Sequence, residues 1–165
     1  MRWLGLLILG GVLAIRCGLG DFDVTETVPA QTIPAGASGA AQPSAFEMNM
    51  AISEKDLPTG SSLVSAVTLS SATFNLTAPA GGNFDFVESV TLSILSPSDS
   101  RLKEAPIATG HPKPGSNKLE LSPVGDVDLL PYVHAGATVR GVATGKAPNV
   151  STTFDGKVVL RVHLF

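Results

Sequence analysis

The chain has 165 residues, with 14 acidic against 11 basic side chains and a formal net charge of −3. Its lysines and arginines are scattered singly rather than clustered, which excludes the basic patch that nucleic-acid-binding proteins use. The single cysteine, Cys17, allows no disulfide within the chain. The 17 glycines and 12 prolines, with few aromatic residues, are typical of many short strands joined by turns.

The first 20 residues predict an export leader. Arg2 is followed by an apolar run at 3–15 and then by Arg16, Cys17 and small residues. As a helix, those 13 residues would extend about 20 Å at 1.5 Å per residue. A bilayer core of about 30 Å needs nearer 20 residues, so the run is too short to cross comfortably. The rest of the chain is therefore interpreted as an exported domain.

Two routes of processing compete at the end of this leader. Cleavage before Cys17 would make this residue the lipid-attachment site, which its position after an apolar run and Gly18 behind it favour. Arg16 counts against this route, because a small residue is preferred immediately before the cysteine. A signal peptidase could instead cut after Gly20, and Cys17 would leave with the leader. An uncleaved anchor is the third alternative.

The residues that follow Cys17 carry a family resemblance. The segment 17–24 reads CGLGDFDV, and 28–36 reads VPAQTIPAG. This stretch resembles predicted outer-membrane lipoproteins of myxobacterial type, in which a cysteine and a short GxGxFxV opening precede a PxQxIPG segment. The resemblance is limited to 17–36. It implies a lipid-modified surface protein with an all-β domain, and it carries over no functional residues.

Alternation of apolar and polar residues predicts strands through the rest of the chain. Turn-forming residues separate them, and in chain order the strands are 22–28, 46–52, 67–78, 90–95, 102–109, 119–121, 138–144 and 156–165. After the first strand, Pro29 and Pro34 favour extended or edge geometry. The small-residue tract 35–44 is interpreted as a tether or a long connection, which would let an anchored domain stand off the bilayer.

Three strands carry more specific signals. Within 67–78 the apolar positions change parity, so 70–72 must absorb one residue as a bulge or as a switch between sheets. Pro106 predicts that 102–109 is an edge strand. The last strand alternates most regularly, with Arg161 and His163 on its solvent face, and it is expected to pair inside a sheet.

These patterns together predict an all-β fold, an antiparallel two-sheet β-sandwich of immunoglobulin-like or related topology. One short helix is expected near 126–136, with Asp126 or Asp128 as its cap and Gly136 at its end. The predicted domains are the leader 1–20, a first strand with a Pro/Ala/Gly-rich segment at 21–44, and the sandwich at 45–165. The strand at 22–28 is expected to join the sandwich.

The polar residues give no motif of catalysis, cofactor binding or metal binding. His111, His134 and His163 form no pair at metal-ligand spacing. The acidic groups 21–26 and 126–128 do not match a calcium loop, and solvated-edge and helix-cap roles are expected for them. No Gly-x-Ser-x-Gly motif marks a hydrolase nucleophile. We expect no catalytic, cofactor-binding or metal-binding residues.

The resulting functional hypothesis is a non-enzymatic lipoprotein of the bacterial envelope. It predicts export to the outer membrane or cell surface, with the periplasmic face or secretion as alternatives. The expected partners are the membrane, through a lipid on Cys17, and a protein partner or further copies of the chain. Two alternatives stay open: a secreted ligand-binding domain with loops 110–117 and 145–155 as its rim, and an assembly subunit that pairs through strand 22–28.

Overall fold

The computed structural model describes residues 20–36, 44–49 and 63–165. Within them the chain forms eight strands and one helix. The bounds are β1 Phe22–Ile33, β2 Ser44–Asn49, β3 Val64–Ala78, β4 Val87–Leu95, β5 Ala105–Gly110, β6 Lys118–Pro123, α1 Leu130–His134, β7 Thr138–Gly145 and β8 Thr152–Leu164. The predicted all-β class with one short helix is confirmed.

The strands form a single antiparallel sheet in the order β1-β8-β3-β6-β5-β4-β7-β2. Seven of them, β1 and β3–β8, curl into a half-barrel, and β2 extends the edge beyond β7. Strand β6 gives the sheet its continuity, because 118–121 pair with β3 while 122–123 pair with β5. The predicted arrangement of two separate sheets is therefore corrected to one continuous curled sheet.

The core fills the concave side of this sheet. Alternate residues of the long strands are buried, and the side chains from both halves of the sheet join one cluster with Tyr132 of α1 and Leu129, which immediately precedes this helix. Leu92, Ile94 and Val139 are completely buried at its centre. Burial of apolar surface on one face of a sheet is the main favourable term in such a fold.

The change of parity in β3 is absorbed as the sequence predicts. β3 is one strand, and its pairing with β8 shifts register between Leu69 and Ser71. Leu69 and Ala72 are both buried although they lie three residues apart. The extra residue is thus a bulge within one strand, which keeps both halves facing the same core.

The prediction that the Pro106 strand is an edge strand is wrong. β5 lies between β4 and β6. Pro106 is tolerated there because β6 pairs only with Ala108 and Thr109 and does not reach Pro106. On its other side Pro106 lies opposite Ser93 of β4, and the register of this strand pair shifts between Leu92 and Ser93. β1, which contains Pro29, does lie at an edge of the sheet, and its pairing with β8 shifts register between Val28 and Gln31.

Helix α1 lies within the predicted segment but is shorter. The Asp128 carboxylate accepts hydrogen bonds from the backbone N–H groups of Leu130 and Val67, each at 3.0 Å. Asp128 therefore fastens the start of α1 to β3. Gly136, with φ +81°, takes the left-handed conformation that ends the helix, as predicted.

Candidate functional site

The sequence-predicted lipid-attachment residue, Cys17, lies outside the described residues, and its modification stays a prediction. The description begins at Gly20, and β1 follows at Phe22. The first part of the chain after Cys17 is therefore bound into the sheet almost at once, because 22–28 pair with β8.

The three long strands give the molecule two distinct ends. β1, β8 and β3 lie side by side, with Phe22 opposite Val162 and Ile33 opposite Thr152. We call the end at which β1 begins and β8 finishes the proximal end, and the opposite end the distal end. The 13 residues of β8 separate the two ends by about 40 Å at roughly 3.3 Å per residue.

An open groove of about 520 Å³ lies at the distal end. Its walls are the turn after β3 and the loop between β7 and β8. The lining residues are Leu76, Pro79, Gly82, Asn83, Asp85, Phe86, Lys146, Ala147, Pro148, Asn149, Val150 and Thr152. The groove has the size of a small-ligand site, although it is not enclosed like one.

Backbone contacts hold the two walls together. The Lys146 N–H donates to the Phe86 carbonyl oxygen at 2.7 Å. Gly145 brings the strands this close: its φ is +141°, and a Cβ there would collide with the Phe86 carbonyl oxygen. Only glycine combines that conformation with that approach. The floor is fixed by Leu76 and Pro148, which are buried.

The loop 111–117 supports the groove from behind. Gly115 N–H donates to the Asp85 carboxylate at 2.7 Å, and Phe84 N–H donates to the Ser116 carbonyl oxygen at 2.9 Å. The sequence predicted loops 110–117 and 145–155 as the rim of a binding site. The second loop supplies a wall, whereas the first positions the turn that supplies the other wall.

The groove combines an apolar floor with a polar rim. Phe86 and Val150 offer apolar surface, and Val150 is 54% exposed. Lys146 places a cation at the rim, and Asn83 and Asn149 place amides there. Such a surface can bind a partner by contact and hydrogen bonding.

A second polar cluster lies at the proximal end and fastens β1 to the sheet. Arg161 donates to the Asp23 carboxylate through Nε at 2.9 Å and Nη2 at 3.1 Å. The Asp23 carboxylate raises the pKa of the Arg161 guanidinium, mainly through these hydrogen bonds. The Arg161 guanidinium therefore stays protonated throughout the physiological pH range.

His163 extends this cluster. Its Nδ1 donates to Asp21 Oδ2 at 2.8 Å, because an ionised carboxylate can only accept. Its Nε2 lies 3.0 Å from Thr68 Oγ1. Carboxylate, imidazole and hydroxyl follow one another as in acyl-transfer enzymes, but this chain crosses three strands on an open sheet face, away from the groove. We interpret these side-chain contacts as interactions that stabilise the packing of β1, β8 and β3.

The other sequence-predicted polar residues are spread apart. Arg161 and His163 share the solvent face of β8, as predicted. Asp21 and Asp23 face them, whereas Glu26 shares the opposite face of β1 with Val28, so the acidic residues near the start do not converge. His111 donates to the Glu88 carbonyl oxygen at 2.7 Å. Within 20–36 and 63–165, no three acidic, histidine or cysteine side chains form a group that could hold a metal ion.

None of the described residues belongs to a helix long and apolar enough to cross a membrane. Comparison of the chain with protein-family models, with curated proteins and with solved structures finds no match.

Proposed function

We propose that this chain is a non-enzymatic lipoprotein of the bacterial envelope, a β module held at the membrane through Cys17 that presents its distal groove to a partner. One observation carries the proposal. The fold begins within five residues of Cys17 at one end, and the groove lies at the other end of the same long strands. A lipid at the first end leaves the groove free for binding.

The physics of lipid attachment makes this arrangement stable. Each buried methylene contributes about 0.8 kcal/mol, so two or more acyl chains hold a protein at a bilayer durably where a single chain does not. From Cys17 to Phe22 the chain can extend at most about 18 Å. The module would therefore lie close to the membrane surface, at the outer membrane or cell surface.

A secreted ligand-binding domain is the second candidate, and the groove favours it equally. It follows if a signal peptidase cuts after Gly20 and removes Cys17 with the leader. The groove would then serve a free protein in the periplasm or outside the cell. The two candidates share the binding surface and differ in the first residue of the mature chain and, as a consequence, in their attachment to the membrane.

Assembly through β1 has less support. β1 lies at the sheet edge, but Pro29 lacks a backbone N–H and the register shift beside it interrupts the edge. Glu26 places a carboxylate on the core-facing side of the strand. Prolines, bulges and inward charges are the features that keep edge strands from pairing with other chains.

Mass spectrometry of the mature N-terminus, combined with membrane extraction, tests the proposal. We expect the mature chain to begin at a diacylated Cys17 and to leave the membrane only with detergent. The matched control is Cys17→Ser, which we expect in the soluble fraction or retained with its leader. A wild-type protein that begins at Asp21 and is released by salt alone would instead establish the secreted domain.

A further inference from the structure

Two bulky apolar side chains are exposed at the proximal end. Leu63 is 47% exposed and Phe165 is 86% exposed. The Phe165 N–H donates to the Leu63 carbonyl oxygen at 3.2 Å, directly beside the register pair of Val64 with Leu164. The two residues therefore form one corner of the fold, which we call the proximal corner. Neither belongs to the hydrophobic core cluster, of which the neighbouring Val64 is a member.

The same corner lies next to the start of the chain that leads from Cys17. Asp21 bonds to His163, two residues before Phe165. Asp21 follows Cys17 by four positions, a span of at most about 14 Å. A lipid on Cys17 would therefore keep the proximal corner within reach of the lipid headgroups.

Both carboxylates that flank the corner have a hydrogen-bonding partner. Asp21 is bonded to His163, and Asp23 is bonded to Arg161. Each carboxylate thus approaches the headgroup layer with a donor already attached to it. Exposed apolar side chains flanked by paired polar groups suit the interface of a bilayer, where one side of a residue is apolar and the other is wet.

We propose that Leu63 and Phe165 insert into the headgroup interface of a phospholipid bilayer and set the orientation of the module, with the distal groove facing away from the membrane. This inference rests on the proposed lipid at Cys17. The acyl chains supply the attachment, and the tether raises the local concentration of the corner at the bilayer so that a weak contact becomes occupied. The occupant is the phospholipid surface itself.

Fluorescence quenching in vesicles tests the contact. The mature lipidated protein, which has no tryptophan once the leader with Trp3 is removed, is reconstituted in phosphatidylcholine vesicles with brominated acyl chains. We expect Phe165→Trp to show blue-shifted emission that the brominated lipid quenches. The matched control is Val150→Trp at the distal end, whose emission we expect to be unchanged. Adding Leu63→Ser to Phe165→Trp should reduce the quenching while the protein still floats with the vesicles.

The outcomes separate the two proposals. Equal emission loss, or none, at positions 165 and 150 in protein that floats with the vesicles would overturn the oriented contact and leave the lipid attachment standing. Protein that fails to float would overturn both. Quenching confined to position 165 supports the contact, and its reduction by Leu63→Ser assigns it to the proximal corner rather than to the chain end alone.

Discussion

A glycine in β8 allows this strand to pack closely against β3. Gly156 lies opposite Phe74 in the β3–β8 pair and opposite Val28 in the β1–β8 pair. The Phe74 ring occupies the space that a side chain at 156 would take. It also meets the Phe154 ring edge-on, with centroids 5.8 Å apart. Glycine here is required by the close approach of a buried ring.

We predict that Gly156→Ala destabilises the fold. The new Cβ would lie 2.6 Å from Phe74 Cδ1 and 2.6 Å from the Thr73 carbonyl oxygen. Overpacking of this kind costs about 1–3 kcal/mol. Urea unfolding should show a lower midpoint with an unchanged slope. Ala30→Ser, an addition of one atom at an exposed position of β1, should change the free energy of unfolding by less than about 0.5 kcal/mol. Equal midpoints for the two variants would contradict the argument.

The sequence predicts on which face of a strand a residue lies, but it does not predict which residues of other strands it contacts. The alternation in β8 correctly places Arg161 and His163 on the solvent face. It cannot supply their partners, because Asp23 and Asp21 lie 138 and 142 residues away. Only the pairing of the first strand with the last brings these side chains together, and alternation within a strand carries no information about its neighbour.

The same limit explains the results at the scale of the elements. The parity change in β3 is local, so the bulge at 69–71 is predictable from that segment alone. The place of β5 in the sheet is not local. Pro106 restricts hydrogen bonding at one position, but β6 does not extend to it, so only β4 pairs there and β5 can still be an internal strand. A proline therefore predicts a backbone position without a partner on one side rather than an edge strand.

We predict that β1 keeps the module monomeric because of Glu26. This residue shares the core-facing side of the edge strand with Val24 and Val28. Glu26→Val would make that side continuously apolar, and exposed apolar edges promote pairing between chains. Analytical ultracentrifugation of 20–165 should show a monomer for the wild type and larger species for Glu26→Val. Thr25→Val, on the opposite face, is the control and should stay monomeric. Assembly of the wild type would contradict this role and favour the assembly subunit.

At the scale of the whole molecule, the strand order changes the role that can be expected of the small-residue tract 35–44. The sequence suggests that 35–44 could hold an anchored domain away from the bilayer. β1 precedes that tract and is already paired with β8, so lengthening it cannot increase the distance between Cys17 and the sheet. Residues 37–43 lie outside the described ranges, and the tract connects β1 to β2. If Cys17 carries the lipid, the segment between Cys17 and Phe22 sets the distance between the lipid and the sheet.

An insertion experiment distinguishes these two segments. Lipid-modified Cys17 leaves Val150→Cys as the only free thiol, which can carry a donor dye at the distal end. The acceptor lies in the headgroups of the vesicle. Leu63→Ser and Phe165→Ser are added to remove the proposed contact. Eight Gly/Ser residues inserted after Gly20 add a root-mean-square span of about 15 Å, so energy transfer should fall. The same insertion after Ala40 should leave the energy transfer unchanged.

A fall in energy transfer for the insertion after Ala40 alone would contradict this prediction. It would show that the tract at 35–44 sets the distance to the membrane, and that β1 is not paired in the sheet of the anchored protein.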